Sequence, residues 1–191
     1  MSNRIVGWLE RLAAPHVICA TLVGLNAAYV LLAAFGNITD FGTNEMFVRH
    51  VLDMDTTNFG QPSGQGLDTN VTWHAVHSSL LQTVSYCSII AWEALTGLVL
   101  LFGTLQWLSH RTVQARAAST VGLLMLVLQF FGGFIVIGTE WFEMWRSTQW
   151  KGTDVAFRCV VLALFTLMFV QYSDRLPTPS TPAHSDREEM R

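Results

Sequence analysis

Long apolar stretches, separated by short polar ones, run through most of this chain. Leu12 to Thr39 contains no Asp, Glu, Lys or Arg, and between Thr69 and His110 the only such residue is Glu93. Ala117 to Thr139 has none, and Cys159 to Ser173 has none beyond Arg158 at its edge. A bilayer core ~30 Å thick takes ~20 apolar helical residues, because backbone polar groups in lipid must be satisfied within the segment. The pattern predicts an all-α fold, an integral membrane four-helix bundle in one domain (1–175), with spans at about 15–36, 77–107, 117–141 and 154–173. The apolar run Val17–Phe35 is longer than the ~7–15 residues of a signal-peptide core, so the first span reads as retained.

Shorter periodic segments flank the spans. Ile5, Trp8, Leu9 and Leu12 share one helical face before Pro15, the pattern of an interfacial helix. In the long loop after span one, Phe47, Val48, Val51 and Leu52 form a second apolar stripe, with Thr43 as an available cap. A short amphipathic helix is expected there at about 44–54, lying on the outer ends of the bundle. The glycine-rich run Gly60–Gly66 reads as a flexible link, and Asp68, Thr69 and Asn70 offer caps for span two. The Pro- and charge-rich segment 176–191 reads as a disordered cytoplasmic tail.

Basic residues orient the bundle. Arg4, Arg11, Arg111, Arg116, Arg175, Arg187 and Arg191 fall on one side, against Arg49, Arg146 and Lys151 on the other. The positive-inside rule then puts both termini in the cytoplasm. Trp73, Trp141, Trp145 and Trp150 form an outer aromatic belt, and Trp107 marks the opposite rim.

Composition narrows the function classes. Charged residues are 13% and hydrophobic ones 51%, with a net charge of −3. Such a chain is neither disordered nor a nucleic-acid binder. The three Cys lie in predicted spans with no CxxC, which excludes a thiol oxidase built on outer-loop Cys pairs.

The candidate chemistry is sparse. Glu93 falls near the middle of span two, where a carboxylate must be neutral, paired or facing water. Arg158 and Glu140 lie near the outer ends of spans four and three, so Glu140–Arg158 or Glu93–Arg158 pairs are possible. Such a pair reads either as a device that fixes helix packing or as a proton- or ion-linked site. His50 and Asp53, like His74 and His77, are one helical turn apart on the outer side, and together are weak candidates for a zinc or copper site. Gly97, Gly103, Gly132, Gly133 and Gly138 favour close helix approach.

Five segments carry a family resemblance. Asn37–Asn44, Phe47–Thr56, Ile89–Thr96, Phe130–Phe142 and Asp154–Arg158 resemble, in order, a bacterial family of predicted small integral membrane proteins catalogued as domain of unknown function 2165. The resemblance runs from about residue 17 to 173. It implies a four-span protein of the bacterial inner membrane and brings no reaction, substrate or cofactor. It emphasises Arg49, His50, Asp53, Asp55, Glu93, Glu140 and Arg158.

The combined expectation is a non-enzymatic accessory or scaffold subunit, with no cofactor. Its partners are the lipid bilayer and other membrane proteins or a second copy of itself. A transporter or small hydrophobic-ligand binder using Glu93 and Arg158 is the alternative, and an outer-face metal-binding protein is the third.

Overall fold

The computed structural model describes residues 2–173, with side chains from residue 5 onward. The expected tail at 176–191, with Arg175, Arg187 and Arg191, lies outside the described residues, as does the side chain of Arg4. Helix α1 (Ser2–Leu12) leads into α2 (Pro15–Thr39), α3 (Phe41–Asp53) and the single turn α4 (Thr69–Thr72). Helix α5 (Ser79–Leu108) follows, then α6 (Thr112–Val127), which continues without a break into a π-helix (Leu128–Trp141), and finally α7 (Thr153–Tyr172). No strand occurs among the described residues.

Four of these elements are long and apolar enough to cross a membrane: α2, α5, the continuous Thr112–Trp141 helix, and α7. Their outward faces carry large apolar side chains such as Leu32, Phe35, Leu98, Leu162 and Phe165, the reverse of a water-soluble surface. The chain is an all-α membrane helical bundle. Helices adjacent in sequence pack against one another, α2 on α5, α5 on α6 and α6 on α7, and α7 returns to α2.

Local sequence explains the breaks. Ala14 is extended (ψ 136°) ahead of Pro15 at the first turn of α2, as a residue before proline prefers. Ser78 caps α5, its side chain accepting from the Leu81 amide. Helix α3 begins at Phe41, earlier than a Thr43 cap predicts, because Thr43 donates to the Asp40 side chain instead (2.8 Å). Asp68 caps the short α4 and not the second span. The third span begins at Thr112, five residues ahead of its charge-free stretch, because Arg116 extends to the helix end and donates to Ser173 Oγ (3.3 Å).

Both described ends of the bundle sit together. The His16 and His110 rings are 4.4 Å apart and Arg116 reaches Ser173; we call this the terminal end and the opposite one the loop end. Packing at the terminal end is close. A Cβ on Gly103 would stand 2.8 Å from Ser119 Oγ and 3.1 Å from its backbone N, and one on Gly97 would stand 2.5 Å from Leu31. Trp107 is 2% exposed and donates to Ser119 Oγ (3.0 Å). Trp107 is therefore a packing residue and not part of an interfacial rim.

The loop end is different. The π-helix packs on α7 and diverges from α5. Gly132 and Gly133 face open space instead of a neighbouring helix, so the close approach expected of them is absent. Above the gap lies α3, its Val48 buried against Tyr86 and Ile90 of α5. The stretch 54–68 is an ordered loop, contrary to a flexible link. Asn58 donates to the carbonyls of Pro62 and Gln65 (both 2.9 Å), and the Gly64 amide donates to Asp55 O (2.8 Å). Gly60, Gly64 and Gly66 supply the positive φ these turns need.

The packing difference predicts unequal responses to an added methyl group. Gly103→Ala must displace the Ser119 backbone and is expected to lower stability by about 1–3 kcal/mol, whereas Gly133→Ala should stay within about 0.5 kcal/mol. Thermal unfolding in detergent measures both, and equal losses would contradict an open gap at Gly133.

Candidate functional site

Glu93 joins three of the four spans. Its Oε2 accepts from Asn37 Nδ2 of α2 (2.7 Å) and its Oε1 from Gln129 Nε2 at the start of the π-helix (2.9 Å). Asn37 Oδ1 in turn accepts from Asn44 Nδ2 of α3 (2.7 Å), and the Tyr86 hydroxyl donates to Asn37 O (3.4 Å). Glu93 is 5%, Asn37 8% and Gln129 7% exposed. The network is thus buried, with its carboxylate held by neutral amide donors. Leaving these donors unmade inside the bundle costs more than each bond contributes.

The expected pairing with Arg158 does not occur. The described ion pairs are Arg49–Glu45, His50–Asp55, His77–Asp53 and Arg146–Glu143. Arg158 and Glu140 are both exposed and belong to none of them. Arg158 lies in the second turn of α7, where its long side chain can reach the interface without a partner.

Glu93 lies at different relative heights on α5 and α2. The contacts Gly24–Thr104, Val30–Gly97 and Asn37–Glu93 set the register of α2 against α5. Helix α2 ends two residues beyond Asn37, at Thr39, whereas α5 continues to Ser79. The carboxylate therefore sits mid-helix in α5 yet within one turn of the end of α2. Helix α3 covers the step this difference leaves.

Two cavities open on either side of the network. One, of about 920 Å³, lies between α5 and the π-helix; it is lined by apolar residues with Ser85, Ser88, Gly132 and Gly133, and Gln129 forms part of its wall. Gln129 Oε1 is buried and without a hydrogen-bond partner. The other, of about 580 Å³, lies between α2 and α7; Glu93 and Asn37 are deep in it, and Asp40, Asn44 and Lys151 stand on its loop-end side. Phe47, Val48, Ile89 and Phe134 line both and so form the partition between them.

The outer polar residues resolve into separate loop anchors. Arg49 makes a surface pair with Glu45 one turn away (3.8 Å). His50 Nδ1 meets Asp55 (2.9 Å), which also accepts from Ser63, and the His50 ring stacks on Trp150 (4.6 Å). Asp53 pairs with His77 and ties the end of α3 to the approach of α5. His74 Nε2 bonds the Trp141 carbonyl. The weak metal candidates His50, Asp53, His74 and His77 are therefore parted among three anchors. Among the described residues no group of three His, Cys, Asp or Glu side chains is placed to hold a metal ion.

Asn37, Asn44 and Gln129 escaped the reading of charges, since an uncharged amide does not interrupt an apolar stretch. The π-helix left no clear mark either, although its glycines and Thr139, whose hydroxyl donates to Phe134 O five residues back (3.1 Å), belong to it.

These features define a four-span α-helical membrane protein built around an intramembrane carboxylate–amide bridge. A family model described as "Predicted small integral membrane protein (DUF2165)" matches residues 16–173, and the chain belongs to that family. No curated protein and no solved structure matches it.

Glu93→Ala strands the Asn37 and Gln129 amides and is expected to cost about 1–3 kcal/mol. Glu93→Gln should be far milder, because Gln129 can turn its unpartnered Oε1 toward the new amide. Parallel thermal melts of the two variants in detergent test this; equal destabilisation refutes the bridging role.

Proposed function

We propose that this chain is a non-enzymatic membrane-embedded binding protein. It holds the apolar body of an amphipathic, lipid-like ligand in the cleft between α5 and the π-helix. The carrying observation is that cleft: about 920 Å³ of largely apolar space beside the buried, unpartnered Gln129 Oε1. An apolar cavity of this size suits a ligand chain, and a few placed polar groups fix its orientation. Ser85 and Ser88 on the α5 wall offer hydroxyls to the ligand's polar end.

A helix from another membrane protein is the second occupant the cleft can take, in an accessory-subunit or scaffold role. Gly132 and Gly133, with nothing within 4 Å of an added Cβ, support this reading, as small residues let helix backbones approach closely. Both readings put the protein in the bacterial inner membrane with its termini in the cytoplasm. The excess of arginine at the terminal end and the acidic first loop support that orientation.

Native mass spectrometry of the protein extracted in mild detergent tests the ligand. The expected result is a retained lipid-sized adduct that disappears when Gly132→Leu and Ser88→Leu fill the cleft from both walls. An adduct unaffected by filling, or a protein adduct lost in its place, moves the assignment away from a lipid-like ligand. The orientation has its own test. Single cysteines at Ser63 and Ser109 should label from the periplasmic and cytoplasmic sides respectively, and the reverse pattern overturns it.

A further inference from the structure

We propose that the groove between α2 and α7 binds an organic ammonium ion, with Glu93 as its anionic anchor. The groove holds about 580 Å³ and reaches from the exposed Asp40 and Asn44 to the buried Glu93. None of the described ion pairs supplies Glu93 with a cation. Its two oxygens accept one amide N–H each (2.7 and 2.9 Å). Each carboxylate oxygen has a second acceptor position, so an ammonium head can bind without breaking the bridge.

Aromatic walls complete the site. Tyr29, Phe130, Phe134, Phe47 and Tyr86 all line the groove. Tyr29 to Phe130 is 6.5 Å between ring centroids, Phe130 to Phe134 5.6 Å and Phe134 to Phe47 6.4 Å, a continuous run of rings along one side. An ammonium group that loses water on entering is stabilised by ring faces as well as by a carboxylate. The same surroundings disfavour a bare metal ion, since no group of three His, Cys, Asp or Glu side chains is assembled among the described residues.

Position matters as much as lining. Glu93 lies within a turn of the level at which α2 ends, so the ligand reaches it through the loop-end mouth of the groove. Asp40 and Lys151 both line the groove; the first attracts a cation and the second opposes one. Lys151 therefore sets the affinity from outside the bridge.

The test uses the full chain in lipid nanodiscs, with benzylammonium as probe and benzyl alcohol as its uncharged counterpart, titrated calorimetrically against empty nanodiscs. Benzylammonium is expected to bind saturably and the alcohol not. Glu93→Gln should weaken the amine ~10- to 100-fold, the worth of a hydrogen bond to a charged group. Lys151→Ala should tighten it and Lys151→Glu tighten it further. Equal binding of amine and alcohol, or an amine affinity unmoved by Glu93→Gln, overturns the proposal. If Glu93→Gln does not fold, the two Lys151 variants decide, and unchanged affinity in both is the overturning result. Lipid retention in the other cleft is read separately, so either assignment can fail alone.

Discussion

A carboxylate inside an apolar bundle has to be held, and the way Glu93 is held organises the loop-end half of this protein. Two amide donors from different helices meet its two oxygens, and a third amide on α3 extends the chain of bonds. No bond in this set joins neighbours along one helix. Each therefore constrains how one element sits against another, and together they fix α2, α5, the π-helix and α3 at a single level. Neutral partners make that arrangement different from a buried ion pair. No opposite charge accompanies the carboxyl group, and each of its oxygens keeps a second acceptor position on the groove side of the bridge.

Packing on the two sides of this level follows different rules. Toward the terminal end, Gly97, Gly103 and Gly122 bring backbones close, and Leu100, Leu123 and Trp107 fill the spaces between them. Toward the loop end the same third span becomes a π-helix, which stays packed on α7 and leaves α5. Its glycines, which would serve close contact in a tighter bundle, line a cleft instead. The bundle is closed at one end and split at the other, with the bridge at the join. Helix α3 and its ordered loop roof the split. They are pinned by His50–Asp55, by Asp53–His77 and by the Phe59 amide on the Arg146 carbonyl (3.1 Å).

The amino-acid pattern made the membrane architecture legible because the bilayer imposes a length and a polarity on every span. Charge-free stretches located all four helices, and the stripe Phe47–Leu52 located α3. The site was legible only in part. Glu93 stood out by its cost, but its partners did not, since Asn37 and Gln129 carry no charge and sit in stretches defined by the absence of charge. Arg158 drew notice for the same reason as Glu93, yet an arginine near a helix end needs no partner when it can reach water. The histidines misled through periodicity. One-turn spacing puts side chains on a common face, but what each imidazole meets depends on how the loop folds over it. Glu93 does fall at the middle of α5, but its nearness to the end of α2 depends on how far α5 outruns α2, which one span read alone does not show.

The two cavities share one wall. Phe47, Val48, Ile89 and Phe134 line both, and the Glu93–Gln129 bond passes from one to the other. A ligand that displaces Phe134 toward one side enlarges its own space at the other's expense. The Glu93–Gln129 hydrogen bond belongs to both walls, Glu93 lining the groove and Gln129 the cleft. Coupling of this kind is reciprocal by thermodynamic necessity: if occupation of the groove changes affinity in the cleft, occupation of the cleft changes affinity in the groove by the same factor. The shared wall of four side chains and one hydrogen bond is the route any such coupling takes, since close glycine contacts hold the helices together at the terminal end.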